Sequence, residues 1–212
     1  QHINRPLEGI DGLAAVIEQL AGVPAPASAW ESLILPSRVH DYAPAMLDEL
    51  TASGEVVWTG HGALPGRDGW IAFHPADAAP LTLTRDELEI AEGSLDARVV
   101  DVLGAGGAYF AAQLASLTAA ENEQSVIDAL WRLTWAGRVT NDTFGPVRTL
   151  VAGGSQAHRV SRKTPRSRMY RGATLPRVSA STPPRPPAIG GRWSLVPDLE
   201  PDAALRATAA AS

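Results

Sequence analysis

The sequence predicts a mainly α-helical protein with small β wings: two winged helix-turn-helix domains in tandem, followed by an irregular, basic, proline-rich arm. Three observations predict it. First, LDELTASGEV at residues 47–56 returns as LWRLTWAGRV at 130–139, with Leu47, Leu50, Gly54 and Val56 each 83 positions before Leu130, Leu133, Gly137 and Val139. Two leucines three apart mark one face of a helix. The glycine supplies the left-handed residue that ends it, and the valine opens a strand. Helix, glycine, strand is how the last helix of a winged helix enters its wing. A repeat this long is one small domain used twice, since solenoid repeats are shorter. Second, each copy follows two further segments of helical apolar spacing. Third, residues 155–190 lose that spacing and turn rich in Arg, Ser and Pro.

The first domain, residues 1–80, reads as three helices and a hairpin. GIDGLAAVIEQLA at 9–21 places Leu13, Val16, Ile17 and Leu20 on one face. GVPAPAS breaks that helix, and Ser28 is placed to cap a short one carrying Trp30, Leu33, Ile34 and Leu35, ended by Pro36. Asp41 is placed to cap a helix at 42–53 that buries Met46, Leu47 and Leu50. Residues 55–60 and 70–74 then pair as strands across the turn-rich ALPGRDG, whose Asp68-Gly69 is a hairpin signal.

The second domain, residues 81–154, begins with LTLTRDELEIAEG, which is expected to close the first domain's sheet. SLDARVVDVL at 94–103 is a helix with Leu95, Val99, Val102 and Leu103 inward. GAGGAYFAAQLASLT gives a glycine turn and a second helix. Asn122 caps a third, with Val126, Ile127, Leu130 and Leu133 as its core face. Gly137 stops it, and RVTNDTFGPVRTLV is expected to form a strand and a wing-like return. The arm at 155–190 contains TPPRPP at 182–187, a polyproline II composition. GRWSLVP, with Trp193 as a packing anchor, is expected to start a further domain at 191–212.

Composition narrows the function. There is no cysteine, which excludes a disulfide framework and a thiolate metal site and suits a cytoplasmic protein. No stretch approaches the length of a membrane helix. The Gln1 start and the helix-like PDAALRATAAAS ending are expected of a piece of a longer protein. Charge is segregated: residues 1–154 carry net −12, residues 155–192 net +9 with no acid, and residues 193–212 net −2. Such asymmetry marks a contact with nucleic acid or with an acidic protein surface.

TWAGRVTNDTFGPVR at 134–148, ESLILPSRVHDYAPAMLDELTASGEVVWTGHGALPGRDGW at 31–70 and GRWSLVP at 191–197 resemble the C-terminal region of the large helicase-related proteins. These are bacterial superfamily 2 ATP-dependent DNA helicases with long C-terminal extensions. The resemblance covers most of residues 25–200, in the same order as in the family. It implies an accessory region of a helicase that unwinds DNA 3′ to 5′ in DNA repair, acting in scaffolding, oligomerisation and DNA engagement. ATP and Mg²⁺ would belong to motor domains elsewhere, with no cofactor in this segment. The implied partners are the remainder of the helicase polypeptide, DNA without sequence preference, and further copies of the chain in a homo-oligomer; no membrane is implied.

Two other functional classes are compatible with winged helices. Extensions of this family resemble winged-helix DNA glycosylases, but no catalytic carboxylate can be placed here by motif, and the resemblance would put it beyond residue 212. A tandem winged-helix transcription regulator would need a basic reading helix, because phosphate neutralisation supplies most DNA affinity. The first candidate helix, DYAPAMLDELTAS, carries Asp41, Asp48 and Glu49 and no base. The second offers Arg132 against Glu123 and Asp128.

The basic arm is the stronger nucleic-acid candidate. Arg159, Arg162, Lys163, Arg166, Arg168 and Arg171 fall within thirteen residues, with Tyr170 able to stack on a base. The alternative is a charge-matched strap across the acidic domains. Arg67 in the first wing and Arg138 after the second reading helix are candidate phosphate contacts, against a plain surface role. Trp30, Trp58, Trp70, Trp131, Trp135 and Trp193 suit core or domain-interface packing better than a stacking surface. GAGGAYF lacks the Gly-Lys-Ser/Thr ending of a phosphate loop. His61 and His74 lack the companion ligands of a metal site. No residue is assigned catalysis, the adjacent acid pairs Asp48-Glu49 and Asp86-Glu87 included.

Overall fold

The computed structural model describes residues 7–85, 88–153 and 190–210. Its first half is a winged helix. Helix α1 (Gly9–Gln19) buries Leu13, Val16 and Ile17, the face its spacing predicts. Asp41 does not cap the third helix as expected. Its Oδ1 accepts the Gly9 amide at 2.8 Å, at the first turn of α1. The chain passes through β1 (Ala25–Pro26) into α2 (Ala27–Ala29), which runs on into one π-helical turn, Trp30–Ile34. Ser28 is not the expected cap either. Its hydroxyl donates to Asp68 Oδ2 at 2.6 Å and so ties this segment to the wing. Helix α3 (Pro44–Ala52) begins at proline, whose missing N–H costs nothing in a first turn.

Strands β2 (Val56–Leu64) and β3 (Asp68–Pro75) form the predicted hairpin, with β1 on the outer side of β3. The register runs from Val56 opposite Pro75 to Leu64 opposite Asp68, with a bulge between Gly60 and Ala63. LTLTRDELEIAEG, expected to close this sheet, forms no strand among its described residues; its first two residues end the short helix α4 (Ala79–Thr82). Pro80 in its first turn has no N–H for a strand ladder.

The second half opens with three further helices. Helix α5 (Leu95–Gly104) is capped by the Ser94 hydroxyl, and α6 (Ala111–Leu117) follows the glycine turn. Helix α7 (Glu123–Trp135) is capped by Asn122 Oδ1, which accepts the Ser125 amide at 2.9 Å as its sequence position predicts. Gly54 and Gly137, 83 residues apart, end α3 and α7 in left-handed conformation, φ +80° and +67°.

Strand β4 (Val139–Asn141) follows, but the expected wing-like return is a helix, α8 (Gly145–Val151). Pro146 lies in its first turn, and Phe144 just before it packs edge-on against Trp58. The partner of β4 comes from much further on. β5 (Trp193–Leu195) pairs antiparallel with it, Val139 opposite Leu195 and Asn141 opposite Trp193. Trp193 also exchanges both backbone hydrogen bonds with Tyr109. GRWSLVP therefore completes this sheet instead of starting a separate domain. Gly191, at φ +78°, makes the return possible: a Cβ there would sit 2.1 Å from Asn141 Oδ1. Helix α9 (Ala203–Ala210) packs back on α4.

One buried cluster runs through both halves, from Leu13, Trp30 and Phe73 to Val99, Leu130, Phe144 and Trp193. Among the described residues no helix is long and apolar enough to cross a membrane.

Candidate nucleic-acid interface

In a winged helix the third helix and the wing are the elements that reach nucleic acid. The side chains of both third helices are largely committed inside this protein. α3 turns Leu47, Leu50 and Thr51 inward, and its exposed positions are Pro44, Ala45, Glu49 and Ala52. Its other acid, Asp48, belongs to a clamp. Arg148 of α8 donates two parallel hydrogen bonds to Glu31, from Nε at 2.6 Å and Nη2 at 2.9 Å. It donates a third to Asp48 Oδ2 at 2.6 Å. The other Asp48 oxygen accepts the Phe144 amide at 3.0 Å, and the Tyr42 hydroxyl donates to Glu31. Burial disfavours the Arg148 charge, yet the hydrogen bonds to both carboxylates outweigh it and raise its pKa. Burial and the Glu31 carboxylate push the Tyr42 phenol up as well, keeping it a donor.

α7 is held from the other side. Its Trp131 and Trp135 rings stack at 5.4 Å, and Trp131 meets the edge of Trp193 at 5.8 Å. Trp135 lies on a floor made by two glycines of the first wing. A Cβ on Gly69 would fall 2.4 Å from the Trp135 ring, and one on Gly60 would fall 2.3 Å from the Thr134 carbonyl oxygen. Trp58 Nε1 donates to the Asn141 carbonyl at 2.9 Å, and the Thr140 hydroxyl donates to the Trp58 carbonyl at 2.7 Å. The exposed face of α7 reads Glu123, Gln124, Asp128 and Arg132, and Arg132 is paired bidentately with Asp96 at 3.0 and 2.6 Å. Neither third helix exposes an arginine or lysine without a carboxylate partner.

The other candidates are dispersed. Arg67, at the wing tip with φ +64°, donates to the Gly153 carbonyl, at the last described residue before 154–189. Arg138 is half-buried beside Arg85, at the other end of the interface. Arg159, Arg162, Lys163, Arg166, Arg168, Tyr170 and Arg171 lie outside the described residues. Of the tryptophans, Trp30, Trp58 and Trp193 are fully buried, Trp131 and Trp135 form the interface stack, and Trp70 is 38% exposed on β3. A groove of about 670 Å³ between α1, α3 and the ends of β2 and β3 is lined by Asp11, Glu18, Glu55 and Asp77, a field that repels nucleic acid.

His61 and His74 do approach, through threonine hydroxyls. The Thr82 hydroxyl donates to the Ala78 carbonyl, so it accepts from His74 Nδ1 at 2.8 Å. His74 Nε2 is then bare and accepts from Thr59, whose oxygen accepts from His61 Nε2, both at 2.9 Å. Thr84 donates to the remaining His61 nitrogen at 3.1 Å. Burial, helped by the neighbouring His61, lowers the His74 pKa to about 4. Among the described residues no group of three His, Asp or Glu could hold a metal ion.

Sequence reasoning missed Arg148 and Arg85. Arg148 followed Phe144-Gly-Pro in a stretch read as a strand, where its distance from Glu31 and Asp48 gave no sign of contact. Arg85 lies in LTLTRDELEIAEG, whose sequence reads as an extension of the first domain's sheet.

Comparison with known proteins places these features. Residues 1–76 match the family described as large helicase-related protein, winged-helix domain. The chain is 52% identical over 204 residues to the Lhr helicase/probable uracil glycosylase of Mycolicibacterium smegmatis, covering 94% of this chain and 13% of that protein. It is 43% identical over 204 residues to the Lhr helicase/uracil glycosylase of Escherichia coli, covering 92% of this chain and 13% of that protein. The chain thus spans only a small part of the curated relatives it matches.

Two outcomes follow from this geometry. Arg148→Ala leaves Glu31 and Asp48 facing each other without a counter-charge and should cost about 3 kcal/mol in urea unfolding; a change below about 0.5 kcal/mol would mean that water screens the clamp. His74 protonates near pH 6.5 in the unfolded chain and only near pH 4 in the folded protein. Its contribution is therefore fully present above about pH 6.5 and is lost as pH falls towards 4, roughly 3 kcal/mol in all. Unfolding measured from pH 7 to pH 4 should show this loss, and His74→Gln should flatten it.

Proposed function

The chain belongs to the large helicase-related family, and from that premise we propose that it is an accessory winged-helix region of an ATP-dependent 3′-to-5′ DNA helicase acting in DNA repair. Its own work is to scaffold the enzyme and to present a basic segment to DNA, while ATP and Mg²⁺ act in motor domains elsewhere. Its partners are the rest of the helicase polypeptide, DNA of any sequence, and further copies of itself in an oligomer.

The observation that carries this reading is the commitment of both third helices to internal contacts, beside a segment of net +9 whose flanks are tied to the body. Before that segment, Gly153 accepts a hydrogen bond from Arg67. At its C-terminal end, the Gly190 carbonyl accepts from Asn141 Nδ2 at 3.3 Å, and Arg192, the last of its nine cations, pairs with Asp142 at 2.7 Å. In sequence, this segment lies between α8 and β5, and the described residues at both of its ends are held on one acidic body. We read the two halves as tandem winged helices. In the first, Pro26 of β1 faces Trp70 of β3. In the second, Tyr109 faces Trp193, and Tyr109 lies 83 residues after Pro26.

Both curated relatives also carry uracil glycosylase in their names. That favours a second reading, in which these winged helices frame a base-excision site. No residue of this chain is assigned its catalysis.

The test compares the chain with a variant in which Arg159, Arg162, Lys163, Arg166, Arg168 and Arg171 are all glutamine. Keeping the segment's length keeps β5 paired, which truncation at Gly154 would not. Single-stranded DNAs of unrelated sequence should bind alike. Log affinity should fall on log salt by about 0.7 per phosphate contact, and the variant should lose a slope of roughly 4. Equal binding by both proteins, or none at low salt, contradicts DNA engagement by the segment and points to a protein strap. Release of uracil from DNA by this chain alone would favour the second reading.

A further inference from the structure

We propose that Arg85 and Arg138 form a binding notch for a phosphate group at the junction of the two winged helices. Arg85 follows α4 as the chain leaves the first unit, and Arg138 follows the glycine that ends α7. Their backbones are brought together by Gly137. A Cβ on that glycine would lie 3.3 Å from both the Gly60 and the Thr84 carbonyl oxygens and 3.9 Å from Arg85 Cα. The same stretch of chain pins both residues. Arg85 Nη2 donates to the Val196 carbonyl at 3.0 Å and the Pro197 carbonyl at 2.6 Å, and the Arg138 carbonyl accepts the Val196 amide at 3.0 Å.

The pair is costly as it stands. The Nε–H of each arginine is buried without an acceptor. An unpaired buried donor on a charged group is unfavourable, and two neighbouring cations repel. Burial, and Arg138 beside it, push the Arg85 pKa down. Among the described residues, the carboxylate that pairs with Arg85 is Asp198, 3.7 Å away and with a fully exposed side chain. A contact that long and that wet offsets little. What the site lacks is an acceptor with several oxygens and more than one negative charge. With Arg85 Nη2 held by the two carbonyls and both Nε atoms buried, Arg85 Nη1 and the two Nη groups of Arg138 are the donors that remain for the oxygens of a phosphate group. A carboxylate brings one charge to a notch that presents two.

The phosphate could be a link of a nucleic-acid backbone or belong to a free phosphate compound. Only the first source rests on the proposed helicase role. The notch itself is tested without DNA, by thermal unfolding of the full chain in sodium phosphate and in sodium chloride at equal ionic strength. The wild type should melt higher in phosphate, as expected for a ligand that binds only the folded state. Arg138→Gln should lose that increment and melt no lower than wild type in chloride, because it removes a like charge and an orphaned donor. Arg138→Lys keeps the charge without the fork and should retain a smaller increment. A wild type indifferent to phosphate, or an Arg138→Gln protein that responds as wild type does, would overturn the notch. The source is read separately from single-stranded DNA binding. Where the phosphate increment is present, a salt slope reduced by about 0.7 in Arg138→Gln assigns the notch to a backbone phosphate. An unchanged slope with the increment still lost assigns it to a free phosphate compound, and the notch stands in either case.

Discussion

An indole ring needs a flat apolar surface to lie on, and the first wing supplies one by having no side chain at Gly60 and Gly69. The rest of the structure depends on that contact. It turns a wing, the element that in a DNA-binding module reaches along a groove, into the seat for Trp135 and the end of α7. It brings Thr134 and Gly137 against β2 and so places Thr140 and Asn141 where they bond to Trp58. Positions 83 apart in the repeat, Trp58 and Asn141, thereby meet directly, and the apolar faces of both halves merge into one core. A methyl group on either glycine would have to displace a backbone carbonyl or a rigid ring, and interiors tolerate such overpacking poorly.

Charge follows the same logic. The arginines described on the body are mostly occupied there: Arg148 with Glu31 and Asp48, Arg132 with Asp96, Arg98 with the Gly93 and Thr118 carbonyls, and Arg67 with Gly153. What the body presents outward is acidic, including the groove beside α1. The positive charge is concentrated in residues 155–192. In the role proposed above, an acidic body with a basic segment held at both flanks would engage a polyanion without sequence preference, since base reading needs a helix with free arginines.

Local signals were legible in the sequence because they depend on neighbours along the chain. Asn122 caps α7, and Gly54 and Gly137 end their helices, as the residues indicate; β2 and β3 pair as expected, but across Pro65-Gly66-Arg67, with Asp68 and Gly69 already inside β3. The errors arose where a distant partner decides the local structure. Asp41 and Ser28 look like caps, but their side chains reach Gly9 and Asp68 instead. RVTNDTFGPVRTLV looks like a strand and return, but β4 takes its partner from residues 193–195, and the chain between them first coils into α8. Pro146 was the available hint. Of the candidate contacts, Arg67 and Arg138 lie apart, and the arm residues lie outside the described set. Arg148, the residue that joins α8 to α3, had no signal in its own neighbourhood.

Everything above requires the two halves to act as one body through the contact between the first wing and α7. Native-state hydrogen exchange of the full chain tests this most directly. The account predicts that the slowest amides of β2 and β3 and those of α7 share one opening free energy and one dependence on denaturant, since neither can open without exposing the Trp135 seat. If α7 instead exchanged through a separate opening of lower free energy while β2 and β3 stayed protected, the halves would be independent modules, and α7 would be free to enter a groove.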